Sequence, residues 1–138
     1  MLTKSTYIHL SLCISIAMFL VSCSASAPEK NALLQQRVDA YHSAVGWNNA
    51  VEASTHVKDP LLHAQVLRQV KKDLDNTRIT ECTTESVDID PEDENTAHVT
   101  AKIKYFKAPV NVIKIKEVTE KWQYSDKTWF LVETDAFK

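Results

Sequence analysis

Residues 96–105 read TAHVTAKIKY. Ala97, Val99, Ala101, Ile103 and Tyr105 occupy one parity, and His98, Thr100, Lys102 and Lys104 the other. Strict two-residue alternation places the first set on one face of a strand and the second on the opposite face, so this is a half-buried β-strand. On its N-terminal side, residues 90–95 (Asp-Pro-Glu-Asp-Glu-Asn) are a polar turn. Beyond that turn, Ile79 to Ile89 is a Thr-rich run with looser alternation. On the C-terminal side, Pro109 and Asn111 mark a connection to a long run, Val110 to Tyr124. There Ile113 and Ile115 share one parity and Val118, Trp122 and Tyr124 the other, which predicts a bulge near Lys116-Glu117. Ser125-Asp126-Lys127 is a tight turn, and Trp129 to Val132 a closing strand.

Upstream of Arg78 the period is helical. Leu34, Val38, Tyr41 and Val45 recur at four, three and four residues, with Ala40 and Ala44 widening the stripe. Gly46, the single glycine, follows the last apolar position and is expected to end the helix in a left-handed conformation. Ser26-Ala27-Pro28-Glu29 has the form of a capping box, so the helix starts there or one turn later, near Asn31. A short second helix follows the pattern Asn49-Ala50-Val51-Glu52. A third follows Asp59-Pro60 and carries Leu62, Val66 and Val70, flanked by Leu67 and Leu74. The expected fold class is therefore α+β: about three N-terminal helices packed on a curved antiparallel sheet of about four strands.

The N-terminus is of a different kind. Lys4 precedes an uncharged run from Ser5 to Ala27 whose apolar core covers about a dozen residues, shorter than the ~20 that a spanning helix needs. That run ends in Leu20, Val21, Ser22 and Cys23, which resembles the lipobox of bacterial lipoproteins. The resemblance implies diacylglycerol on the Cys23 thiol, cleavage between Ser22 and Cys23, acylation of the new amino terminus and no role for Cys13 in the mature protein. It divides the chain into a signal peptide (1–22), a lipidated cysteine with a short tether (23–30) and one cone-shaped domain (31–138). In a Gram-negative envelope, Ser24 in place of an inner-membrane Asp implies the outer membrane, facing the periplasm. In any other source the anchor implies the cell membrane.

The chain has 138 residues, with 16 Lys and Arg against 18 Asp and Glu, a net charge of -2. That balance argues against a nucleic-acid partner. One glycine excludes a glycine-rich phosphate loop. Removing residues 1–22 takes away Lys4 alone among the charges, which leaves 116 residues with 15 basic and 18 acidic, a net of -3.

The mature chain resembles nuclear transport factor 2-like domains, the α+β cone also used by ketosteroid isomerase. The residues that carry the resemblance are Arg37-Val38-Asp39-Ala40-Tyr41-His42, Gly46-Trp47, Glu120-Lys121-Trp122-Gln123-Tyr124 and Lys127-Thr128-Trp129-Phe130-Leu131-Val132. The resemblance implies a cone with a Tyr on the first helix, here Tyr41, beside inward carboxylates. No Asp falls on the inward parity of residues 97–105. Tyr41, Trp47, Tyr105, Trp122 and Trp129 are the candidate pocket residues, and they either line the cone or fill it.

No catalytic set and no metal site is expected. The spacing of His42, His56, His63 and His98 matches no metal-binding helix pattern, and all four read as surface histidines. Cys82 has acidic sequence neighbours, Glu81 and Glu85, and reads as a structural thiol. The acidic run 81–94 and the basic run 102–116 are expected to face each other across adjacent strands, with Lys102 or Lys104 opposite Glu85 or Asp88.

The function expected is that of a non-enzymatic envelope lipoprotein, without cofactor, that binds a partner protein or a small apolar ligand. The alternatives are a small isomerase- or hydrolase-type enzyme using Tyr41, and an envelope assembly or secretion accessory factor.

Overall fold

The computed structural model describes residues 26–136; Leu20 to Cys23 and the signal segment lie outside them. Helix α1 spans Ala27–Gly46, α2 Ala50–Ser54 and α3 Pro60–Asn76. Strands β1 Thr77–Ile89, β2 Thr96–Lys107, β3 Val110–Ser125 and β4 Thr128–Thr134 follow. The sheet is a fully antiparallel meander of order β1-β2-β3-β4, with the helices preceding it in the chain. The fold class is α+β, with three helices and four strands.

The alternation in β2 sets the core. Ala97, Val99, Ala101 and Ile103 are buried, and they meet Leu34, Val38, Tyr41 and Val45 of α1 and Val66 and Val70 of α3. Trp122, Trp129 and Leu131 from β3 and β4 complete the layer without exposed surface. Each large apolar side chain removed from water contributes about 1.5–3 kcal/mol before entropy is counted. The indole of Trp129 also donates through Nε1 to the Lys30 carbonyl at 3.0 Å, and Lys30 reaches Glu94 and Asn95 at 3.1 Å each. The N-terminus of α1 is thereby tied to the β1–β2 turn at one end of the sheet.

Several local expectations hold. Asn49 and Asp59 cap their helices, accepting from the backbone N–H groups of Glu52 and Leu62. Lys102 reaches Glu85 and Lys104 reaches Glu81, both at 2.7 Å. The acidic turn spends its carboxylates locally, as Asp90 accepts from the Glu92 N–H and Asp93 from the Asn95 N–H and the Thr96 hydroxyl. Asp126 and Lys127 both have positive φ (52° and 64°), the geometry of a two-residue turn matched to strand twist.

Four expectations are corrected. Helix α1 starts at Ala27, the earlier of the two starts, but Ser26 makes no side-chain capping bond. Gly46 stays helical, and the left-handed residue is Asn48 (φ 54°), two positions later. The β2–β3 register runs without a shift from Thr96↔Gln123 to Tyr105↔Lys114, so there is no bulge at Lys116-Glu117. The parity conflict resolves differently: Val118, Glu120 and Trp122 face the core, while Ile113 and Ile115 lie on the other face and stay exposed. The irregularity in β3 falls instead between Lys121 and Trp122, opposite β4. Finally, His42 and His56 are buried rather than on the surface.

Between α2 and α3 a single parallel bridge joins Val57 to Leu131, and the Leu131 N–H donates to the His56 carbonyl at 2.9 Å. Among the described residues, no helix is long and apolar enough to cross a membrane.

Candidate functional site

The polar groups of the interior gather where α1 crosses β3. The helical stripe puts Tyr41 on the sheet side of α1, and the next residue, His42, reaches toward the same strand. Glu120 holds the inward parity of β3 between Val118 and Trp122, so a carboxylate enters an apolar row. Such a group is costly unless bonded, and here both oxygens are used. Oε1 lies 3.0 Å from His42 Nε2, and Oε2 accepts from Trp122 Nε1 at 2.9 Å. Because an ionised carboxylate only accepts, the imidazole donates from Nε2. Its Nδ1 meets the Thr84 hydroxyl at 2.8 Å. Thr84, His42, Glu120 and Trp122 thus form one chain of bonds across α1, β1 and β3.

A second group adjoins this chain and is not satisfied. The Tyr41 hydroxyl and both ring nitrogens of His56 are buried without a hydrogen-bond partner. The Tyr41 ring packs edge-on against Trp122 at 5.7 Å and against His56 at 6.0 Å between centroids. Burial raises the Tyr41 phenol well above its ordinary value, and the nearby Glu120 charge adds to this. Burial also lowers His56 from 6.5 to about 4, with the Arg37 charge acting in the same direction. The Cys82 thiol is pushed up to about 12 by burial and by Glu120. The interior therefore favours neutral phenol, neutral imidazole and neutral thiol.

Of the five candidate pocket residues, Tyr41 and Trp122 pack together. Trp129 is fully buried beside Tyr124, with ring centroids 5.4 Å apart. Tyr105 is half-buried and lies further along the sheet, opposite Ile79 and Lys114. Trp47 does not join them; it is 84 % exposed, on the loop that leaves α1. A surface depression of about 250 Å³ is lined by His98, Thr119, Glu120, Lys121, Glu133 and Asp135; it shares Glu120 with the bonded chain, and none of the five belongs to it. Among the described residues, no three metal-ligating side chains converge.

His42, His56 and Glu120 escaped the sequence reading. For Glu120 a signal exists, since it shares parity with Val118 and Trp122. The histidines carry none, because His42 sits at the margin of the helical stripe and His56 lies between helices.

No protein-family model matches the chain, and no curated protein matches it in sequence. Solved structures do match in shape. A ketosteroid isomerase-like protein from Erwinia carotovora atroseptica superposes with a TM-score of 0.59 at 11% identity, covering 77% of this chain and 93% of that one. A candidate dehydratase of the nuclear transport factor 2-like family from Streptomyces avermitilis superposes at 0.53 and 14% identity, over 76% and 93%. The chain has the nuclear transport factor 2-like fold. A candidate Ca/calmodulin-dependent kinase II association domain from Exiguobacterium sibiricum superposes at 0.59, with 14% identity over 82% and 94% of the two chains. A fold so widely shared does not assign an activity.

Proposed function

We propose that this nuclear transport factor 2-like chain is a lipid-anchored envelope protein, attached through Cys23, that works by binding another protein and not by catalysis. The observation that carries this reading is the packing of the cone. Trp122, Trp129, Val118 and Leu131 have no exposed surface and Tyr41 has 1 %, so side chains occupy the volume where a substrate would sit. Apolar side chains are instead presented outside, with Val110, Val112, Ile113 and Ile115 each about 60 % exposed. The lipobox Leu20-Val21-Ser22-Cys23 supports the anchor, and only Ser24, Ala25 and Ser26 separate Cys23 from the first turn of α1. Two or more acyl chains hold a protein firmly on a bilayer, where one binds reversibly.

The test has two arms. Cells fed labelled palmitate are expected to label the wild-type chain and not Cys23→Ser; equal labelling of both ends the anchor reading. The purified domain is then titrated with a small apolar probe, such as a steroid, while the NMR signals of Tyr41 and Trp122 are followed. Unmoved signals fit a packed cone. Saturable shifts there favour the second reading, an isomerase- or dehydratase-type enzyme. That reading draws on the unpartnered Tyr41 hydroxyl and His56 nitrogens beside Glu120.

A further inference from the structure

The starts of both long helices and two of the three sheet turns meet at one end of the domain. Lys30, in the first turn of α1, reaches Glu94 and Asn95 in the β1–β2 turn. The Tyr124 N–H donates to the Asn95 carbonyl at 2.7 Å, which brings the β3–β4 turn, Ser125 to Thr128, to the same level. Lys58 pairs with Asp126 in that turn, so α3 also starts here, two residues later at Pro60. The opposite end is fixed as firmly. Asn76 closes α3, and its carbonyl accepts from the Ala108 N–H in the β2–β3 turn at 2.9 Å. The length of β2, Thr96–Lys107, separates the two ends by about 40 Å.

The tether selects which end faces lipid. Cys23 stands four residues before Ala27, the first residue of α1. At ~3.5 Å per residue, a fully extended tether reaches about 14 Å. An acylated Cys23 therefore keeps the start of α1 within that distance of the bilayer, and the two turns bonded around it come with it. A partner protein does not fit between them, since even a 100-residue domain has a radius of gyration of about 13 Å and is wider than the gap.

The side chains at this end suit a headgroup layer. Glu92, Asp93 and Glu94 in one turn, and Asp126 and Lys127 in the other, are exposed, and such groups stay out of hydrocarbon. Leu61 is the exception. It lies in the first turn of α3, close in sequence to the Lys58–Asp126 pair, and is 82 % exposed. A single exposed leucine is ordinary on a protein surface. Here it stands at the end that the tether keeps against the bilayer, where the interface would take it out of water.

We propose that this end of the domain, formed by Asp90–Asn95, Ser125–Thr128 and the first turns of α1 and α3, is the face that rests on the anchoring bilayer, with Leu61 entering the interface and the polar turns among the headgroups. This rests on the lipid-anchor reading above and gives the anchored domain an orientation. The sheet then stands off the membrane, and the β2–β3 turn is carried about 40 Å outward.

The experiment joins the mature chain, residues 23–138 with Cys82→Ala, through the Cys23 thiol to a maleimide lipid. The bilayer is a nanodisc of phosphatidylethanolamine and phosphatidylcholine with a trace of lipid carrying gadolinium at its headgroup. Amide relaxation is then read residue by residue. It is expected to be more than about tenfold faster at Leu61, Asp93 and Asp126 than at Lys107 and Val110, because ~40 Å of β2 lies between the two sets and the effect falls with the sixth power of distance. Equal relaxation at the two ends, faster relaxation at Lys107 and Val110, or its strongest effect at Lys102 and Lys104 on the outer face of the sheet would each overturn the orientation. Such a result with palmitate labelling of the wild-type chain intact removes this contact face and leaves the anchor reading standing. Absent labelling in cells, with the expected relaxation pattern on the coupled lipid, removes the anchor instead.

Discussion

Glu120 Oε1 lies 3.0 Å from His42 Nε2 in a place where neither residue has more than 4 % of its surface exposed. The pair crosses from β3 to α1, so it links helix to sheet through a bond that water does not compete for. Removing one member of such a pair leaves the other stranded, at a cost of about 3–5 kcal/mol. Glu120→Ala and His42→Ala are each expected to lose that much stability in urea unfolding. The double variant should lose less than the sum of the two, since the second deletion removes the stranded group. Additive losses would show that the two side chains act independently.

His56 provides a pH dependence with a definite sign. Its folded value is lowered from 6.5 to about 4 by burial and by Arg37. Between those values the unfolded chain binds a proton that the folded chain refuses, so stability is complete above 6.5 and falls as pH drops toward 4. The loss across that window amounts to about 3 kcal/mol, at ~1.4 kcal/mol per unit. His56→Phe preserves an aromatic ring against Tyr41 and Trp122 and should flatten the slope. Urea midpoints of the two proteins at pH 7 and pH 5 provide the comparison, and parallel declines would remove His56 as the cause.

Gly46 occupies the last turn of α1 in an ordinary helical conformation. A Cβ there would sit 3.6 Å from the Cys82 amide nitrogen, a normal contact distance. Gly46→Ala should therefore stabilise the domain by about 0.5–1 kcal/mol, because alanine loses less backbone freedom on folding. A fall in melting temperature would show that β1 has to give way.

Cys82 is expected to be inert. With its thiol pushed up to about 12, almost no thiolate exists at pH 8. Iodoacetamide should leave the folded protein unmodified over hours and label Cys82 promptly in denaturant. Fast labelling of the native chain would mean that β1 opens at this point.

The helical period over Leu34 to Val45, the alternation over Ala97 to Tyr105, the side-chain caps at Asn49 and Asp59 and the turn at Asp126-Lys127 were all legible, because each is a local match between residue type and backbone geometry. Partners were not. The strand run 110–124 offered two incompatible parities, and sequence alone suggested a bulge between them. The structure keeps one register and leaves Ile113 and Ile115 exposed, because their parity points them to the face of the sheet away from the helices. Trp47 follows the same logic, since its environment depends on how the chain leaves α1.

The sequence by itself determined the order of elements, the inward face of β2 and the opposition of acidic β1 to basic β2, since periodicity, caps and charge act between near neighbours. Tertiary structure alone decided that Glu120 finds His42, 78 positions away in the chain. It also decided that Trp122 and Trp129 are fully buried in the core, and that β3 pairs further with β2 than with β4. Each of these depends on which surfaces come together when the sheet folds against the helices, and no local pattern records that.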